Sequence, residues 1–238
     1  TVALKLEKNN NPSSEYIKIL PDSLYYLPFF WDKSDLDLLE GTYAIQKINN
    51  RKNNLKSSYI NLKNNLLDEN FITEDEYYLL KNIVSSRNFS VRINDKNTNV
   101  LVPFADMLNH SFSNNTDWFF DDDKKKFIVK SNCKIKLNEV ATDSYGYKNA
   151  IDYLIYYGFF PEERYSINLN NKHLNKEKKK IDNETLNIIK DKLHKFKTTI
   201  VQDKLKLKEL LDTDNPNRNK INSLKILIAE KNILISNI

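Results

Sequence analysis

Apolar and polar positions alternate along this chain in three distinguishable ways. Between Pro28 and Phe71, apolar residues recur at three- and four-residue intervals, so that Leu36, Leu39, Tyr43, Ile45 and Ile48 can share one helical face. That spacing predicts helix, and Ser34 followed by Asp37 has the form of a capping box at its start. A second helix start is written at Thr73, with Glu76 three residues on. Tyr77, Leu80 and Val84 then line one face and carry the chain to Ser86 and Arg87. From Val91 the period shortens. "VRINDKNTNVLVPFAD" and "DWFFDDDKKKFIVKSNCKIKLNEVATDSYG" hold short β-prone runs between polar turns, and "DDDKKK" joins "WFF" to "FIV" as a hairpin tip, with opposite charges facing across it.

Helix returns at "NAIDYLIYYGFF", with Gly158 placed to cap its end. After Pro161 a polar link leads to two basic amphipathic helices, roughly 183–211 and 217–236, separated by the turn "DTDNPNRNK". There is no internal repeat. Helices, then compact β structure, then helices predict an α+β fold with an all-helical C-terminal region.

Composition narrows the class. The 238 residues can bury a substantial core, and 40% hydrophobic with 29% charged residues is ordinary for a globular protein. The apolar runs are too short for a membrane span and the N-terminus lacks a signal-peptide layout, which predicts an intracellular protein of the cytoplasm or nucleus without a membrane partner. One cysteine, Cys133, excludes a disulfide framework and thiolate zinc clusters. The net charge of +5 suits an acidic partner, but the excess lies mostly in the C-terminal helices and no nucleic-acid-binding motif accompanies it.

Candidate chemistry concentrates in "LVPFADMLNHSFSNN", residues 101–115. An apolar run there ends in a proline, a carboxylate and the cluster Asn109, His110 and Ser111. The residues alone allow a strand running into a turn, or a ligand site at the strand's mouth. A nucleophile elbow of the form G-x-S-x-G is missing. The three histidines do not suffice for a metal site, and the three glycines form no phosphate-cradling loop. His173 and His194 read as surface residues. An enzyme built from this chain would therefore rely on aromatic and amide groups around an organic ligand.

Four ordered segments resemble the SET-domain protein methyltransferases, and specifically the Rubisco large-subunit lysine methyltransferase branch, to which the actin-histidine methyltransferase is related. "ADMLNHSFSNN" is similar to that branch's D-x-x-N-H-S segment, and "DSYGYKNAIDYLIYYGFF" to its S-Y-G strand and the helix ending in Y-G-F. "WDKSDLDLLEGT" resembles a motif of its inserted helical subdomain, and "SSRNF" its S-R-x-F motif. Together they span roughly residues 4–169. The resemblance implies a β-rich SET domain over 1–164 with a helical insertion at about 22–88. It also implies a C-terminal helical domain over 165–238 that binds the protein substrate. The branch has a glycine-containing segment covering the cofactor's other side, and "TVALKLEKNN" begins after it, so the N-terminal part of the SET domain is expected to be missing.

By the same resemblance the activity is methyl transfer from S-adenosylmethionine to the side-chain amine of a protein lysine, with no metal. Tyr145 of "SYG" falls on the catalytic position and also on the cofactor's edge. Asn109 and His110 would hold the cofactor's adenine end, Arg87 and Asp106 its polar end, and Phe159 would lie beside it. Phe89 and Tyr157 would line the channel that receives the target side chain. Phe89 favours lysine, because the histidine-directed relative carries a polar amide there. Such residue types suit the reaction. In-line displacement at a sulfonium chiefly needs donor and acceptor aligned. An aromatic, partly dry channel beside a positive charge disfavours the ammonium form of the incoming lysine.

Departures from the branch's pattern favour a different possibility, a SET-like scaffold that no longer transfers methyl groups. Phe112 and Asn114 replace a common Cys and Pro, while Asn115 keeps the motif's last position. Ala150 stands where Asn is common, with Asn149 one residue early. Each site residue also has a plainer role open to it. Tyr145 is one of thirteen tyrosines, Tyr157 shares its helix with Tyr153 and Tyr156, Asp106 can cap a turn and Arg87 can meet a helix dipole. The hydrophobic run before Asp106 would be the buried strand that fixes the Asn109–His110 loop.

Overall fold

A computed structural model describes residues 1–12, 14–66 and 70–238. In chain order the helices are α1 (Val2–Asn10), α2 (Glu15–Ile19), α3 (Lys33–Leu36), α4 (Tyr43–Lys63), α5 (Glu74–Arg87), α6 (Ala150–Tyr157), α7 (Asn183–Lys195), α8 (Ile200–Leu211) and α9 (Arg218–Ser236). The strands are β1 (Asn88–Ile93), β2 (Lys96–Leu101), β3 (Asn109–His110), β4 (Thr116–Asp121), β5 (Lys126–Ser131), β6 (Thr142–Asp143), β7 (Ile167–Leu169) and β8 (Lys172–Leu174). They pair as β1–β2, β4–β5 and β7–β8 antiparallel hairpins and one parallel pair, β3–β6. Contacts divide the chain into two units, residues 1–22 with 72–147, and residues 23–71 with 148–238.

The first unit holds α1, α2, α5 and strands β1 to β6. Its local signals were written in the sequence. Thr73 and Glu76 form a reciprocal capping box at α5, whose Tyr77 and Leu80 are buried. Lys5 of α1 donates to the same Glu76 at 2.6 Å. The β1–β2 turn places Asn94 and Asp95 at positive φ (47° and 62°), the geometry that a two-residue hairpin turn requires. At the β4–β5 tip, Lys124 and Lys125 pair with Asp121 and Asp122, as the charge pattern predicts. The run ending in Leu101 is not the buried strand expected of it. Lys96–Asn99 are exposed and Leu101 is half-buried, because among the described residues β2 pairs with β1 alone, and β1 supplies the buried Phe89 and Val91.

The second unit is helical apart from β7–β8. Its core gathers Trp31, Leu39 and Ile48 with Ile151 and Leu154 of α6 and Ile226 and Ile233 of α9. The helix expected from Pro28 is interrupted. Gly41 turns the chain at φ 80°, and α4 starts afresh with the Thr42 side chain accepting from the Ile45 N–H. Ser34 caps nothing: it lies within α3, where Asp32 is the N-cap residue. Leu36, Leu39, Tyr43, Ile45 and Ile48 still join one core, from two short turns and the start of α4 rather than one helix. That expected run also covers residues 67–69, which lie outside the described residues.

The helix expected over 183–211 is two helices. It breaks after Lys195, and Thr199 with Gln202 makes a new capping box for α8. The polar link carries a small hairpin, with Asn170 and Asn171 at positive φ in its turn. The last helix, α9, is buried on more than the one face an amphipathic helix presents. Residues from Ile221 to Leu234 are buried around most of it, because α3, α7 and α8 all pack against it.

Two charged groups lie inside this unit. Glu230 accepts from the Tyr43 N–H (2.7 Å), the Tyr165 hydroxyl (2.7 Å) and the Lys192 ammonium (3.2 Å). Burial pushes its pKa up, partly offset by Lys192. The carboxylate thus anchors the N-terminus of α4, where the helix dipole favours negative charge. Lys231 points into the α8 side, 2.6 Å from Asp203.

At the start of α7, the Thr185 hydroxyl and then the Thr185 N–H, which donates to Asp182 at 2.7 Å, hold the Asp182 pKa at about 2, below the usual 3.8. A depressed carboxylate pKa contributes stability that is complete above about pH 4 and lost as pH falls through about 2. Asp182→Asn should therefore flatten the acid side of the stability curve between those values, read by thermal melts across pH.

Candidate functional site

The segment after β2 is bent sharply. Phe104, 83% exposed, takes φ 71°, a backbone region unfavourable for a bulky residue, and turns the chain into a single 3-10 turn over Ala105–Met107. This turn places Asp106 with its side chain fully buried (0% exposed). Arg87, the last residue of α5, donates to the Asp106 carbonyl at 3.2 Å and to its Oδ2 at 3.4 Å. The Tyr16 hydroxyl, from α2, donates to the same Oδ2 at 2.7 Å. Burial, then the bond to Asp106, push the Tyr16 hydroxyl's pKa well up, so it stays a donor.

From there the chain enters β3. Asn109 and His110 run parallel to Thr142 and Asp143 of β6, and the Ser111 N–H continues the ladder to the Asp143 carbonyl at 2.9 Å. Desolvation raises the pKa of the Asp143 carboxyl, which is 4% exposed. So short a parallel pair needs a clamp, and Asn115 provides it. Its amide donates to the Val140 carbonyl (3.0 Å) while its Oδ1 accepts from the Thr142 N–H (2.7 Å). Thr116 adds a hydroxyl bond to the Thr142 carbonyl at 2.9 Å.

The clamp brings Tyr145 onto His110. Their rings stack at 5.1 Å between centroids, and the Tyr145 backbone N–H donates to His110 Nδ1 at 3.1 Å. An accepting Nδ1 places the ring's proton on Nε2. The Tyr145 hydroxyl donates to the Leu108 carbonyl at 2.8 Å. Phe112 closes the other side of His110, edge-on at 4.6 Å.

Of the residues singled out from sequence, Arg87 meets Asp106, and His110 meets Tyr145. The Asn109 side chain is exposed beside that pair. Phe89 is 9% exposed, with its ring edge-on to Trp118 (5.1 Å) and Phe127 (4.9 Å). Tyr157 and Phe159 belong to the second unit, flanking Gly158 and packed around Tyr153. Asn149 accepts the Ile151 N–H as the cap of α6 and donates to Ser166, so the amide one residue early serves the helix while Ala150 is buried. His173 and His194 are exposed. Sequence reasoning missed Tyr16 and Thr142, and it gave Asn115 no task. Each acts on a partner 26 to 90 residues away.

Gly158 ends α6 in the left-handed region at φ 80°, and a Cβ there would collide with the Tyr26 ring. Gly158→Ala should destabilise the protein by about 2 kcal/mol, combining backbone strain with overpacking. Urea denaturation would measure it.

Among the described residues no group of three or more His, Cys, Asp or Glu side chains could hold a metal ion, and no helix is long and apolar enough to cross a membrane. No protein-family model and no curated protein matches the sequence. Solved structures do. The SET domain of LSMT bound to methyl-lysine and AdoHcy superposes with a TM-score of 0.76 at 19% identity, over 98% of this chain and 72% of that one. The chain has the SET fold. The same SET domain bound to lysine and AdoHcy gives 0.75 at 18% identity over the same shares. Rubisco LSMT bound to AdoMet gives 0.72 at 17%, over 98% of this chain and 70% of that one. The likeness covers the C-terminal helical region as well as the β-rich part.

Proposed function

We propose that this chain is a protein methyltransferase that moves the methyl group of S-adenosylmethionine to the side-chain amine of a protein lysine. The observation that carries the reading is the pairing of His110 with Tyr145. An Asn-His strand and a tyrosine 35 residues later are closed into one unit by a stack and two hydrogen bonds, on a fold shared with structures that hold AdoMet, AdoHcy and lysine.

In this reading Asn109 and His110 hold the adenine end of the cofactor. Arg87 and Asp106 form its polar end, and Phe159 flanks it. The cofactor supplies an electrophilic methyl on a sulfonium. Tyr145 does the orienting: its hydroxyl proton is held by Leu108, so the oxygen accepts a hydrogen bond from the incoming amine and aims the nitrogen lone pair at the methyl carbon. Phe89 and Tyr157 serve as aromatic walls that disfavour the charged ammonium. An all-hydrocarbon Phe89, edge-on to the Trp118–Phe127 stack, supports lysine over histidine, since it offers an imidazole nitrogen no partner. The domain reading is a SET domain over 1–164 with its insertion at about 22–88, and a substrate-binding helical domain over 165–238.

Calorimetric titration with S-adenosylmethionine, followed by labelled-methyl transfer into lysate proteins and amino-acid analysis, tests this directly. Saturable binding and label recovered in methyl-lysine are expected. Absence of binding would instead establish the scaffold reading, and label in methyl-histidine the histidine-directed one.

A further inference from the structure

The Asp106 side chain is fully buried, yet its two oxygens are treated differently. Oδ2 takes both available donors, the Tyr16 hydroxyl at 2.7 Å and Arg87 at 3.4 Å. Oδ1 is buried and has no hydrogen-bond partner among the described residues. A buried carboxylate oxygen without a donor is costly, so the side chain would turn to share its donors unless something fixes it. Arg87 at 3.4 Å is a long contact, and its nearer bond goes to the Asp106 backbone carbonyl at 3.2 Å. The short bond that sets the carboxylate's rotation is therefore the one from Tyr16.

Tyr16 reaches Asp106 from α2, 90 residues earlier in the chain. The chain that follows it is anchored: Ile17 and Leu20 are buried, so the tyrosine's approach is set by packing rather than by its own rotamer alone. The hydroxyl also stays protonated far above neutral pH, because burial and Asp106 both disfavour the phenolate. A permanent donor on Oδ2 leaves Oδ1 as a permanent open acceptor. Its natural occupant is a cationic N–H donor, for which a charged acceptor gives the strongest hydrogen bond.

We propose that Tyr16 is a positioning residue of the methyl-transfer site, holding Asp106 Oδ2 so that Oδ1 faces the ammonium-bearing end of S-adenosylmethionine. The inference rests on the function proposed above. It adds a residue that none of the sequence motifs contains and gives the unpaired oxygen a ligand. Because the contact is made to ground state and transition state alike, its loss changes cofactor affinity and not the chemical step.

The test is Tyr16→Phe in the full chain, which removes one oxygen and keeps the ring. Steady-state transfer and calorimetry should show KM and Kd for S-adenosylmethionine rising about tenfold, with kcat per folded protein within about twofold. A merely structural role would lower kcat with the folded fraction and leave KM alone, which would overturn the proposal. Adding Tyr16→Phe to Asp106→Asn should weaken binding no further than Asp106→Asn alone, and additive losses would count against it. Should Tyr16→Phe fail to fold, Asp106→Asn by itself must show the same KM-selective loss, and a normal KM there overturns the inference. Wild-type protein that binds no S-adenosylmethionine removes the function and this inference together. Wild-type binding that Tyr16→Phe leaves unchanged removes this inference alone.

Discussion

Lys231→Met should cost the protein about 3–5 kcal/mol, a larger stability loss than that expected of Gly158→Ala. Lys231 and Asp203 are buried with only 3% of each side chain exposed, 2.6 Å apart between α9 and α8. The ammonium also donates to the Thr198 carbonyl (2.6 Å) and hydroxyl (3.0 Å) and lies 5.0 Å from the Phe196 ring centre. These partners account for every ammonium hydrogen, which is how a lysine is tolerated in a core. Methionine matches its length but leaves the Asp203 carboxylate in low dielectric with no counter-charge. The segment 196–199 that joins α7 to α8 would lose its tether as well. Natural domains have about 5–15 kcal/mol in hand, so roughly a fifth or more of the total is at stake. Denaturant unfolding would read the loss directly. The double replacement Lys231→Met with Asp203→Leu should recover most of it, since removing both charges leaves none unpaired.

The second large effect is on activity. Tyr145→Phe should lower the rate of methyl transfer about 100- to 1,000-fold, which corresponds to about 3–4 kcal/mol of lost transition-state stabilisation. Only the hydroxyl is removed, and with it the oxygen that accepts from the amine and the bond to Leu108. The backbone N–H to His110 and the ring stack survive the change, so affinity for S-adenosylmethionine should stay within about threefold. His110→Ala should behave in the opposite way. It deletes the acceptor for the Tyr145 N–H and one face of the stack, so cofactor affinity falls first. Single-turnover transfer with calorimetry on both variants separates the two roles. Equal rates for wild type and Tyr145→Phe would show that Tyr145 does not orient the acceptor.

How far these features can be read from the sequence depends on how local they are. Thr73 and Glu76, Gly158, and the "DDDKKK" tip all depend on partners within a few residues, and each forms as the pattern predicts. Thr199 with Gln202 is the same kind of signal. It is masked by an apolar period that runs across the break, because periodicity says which face is buried and not where a helix stops. Expectations about burial fare worse where they depend on distant partners. The run before Asp106 reads as a buried strand, but among the described residues no further strand covers it. The helix α9 reads as basic and amphipathic, with one buried face, yet three helices enclose it and turn Glu230 and Lys231 inward.

The candidate site divides along the same line. The residue identities Asp106, Asn109, His110 and Tyr145, and their order along the chain, are legible because a motif is a property of consecutive residues. That order implies the SET fold, and the fold is what the coordinates share with the LSMT structures. Only the tertiary structure decided what those residues do to one another. The stack of Tyr145 on His110 depends on a two-residue parallel pairing that Asn115 and Thr142 hold from outside the motifs. The open oxygen of Asp106 depends on a hydroxyl 90 residues away. Hydrogen-bond direction and burial arise where segments distant in sequence meet, and no local pattern carries that information.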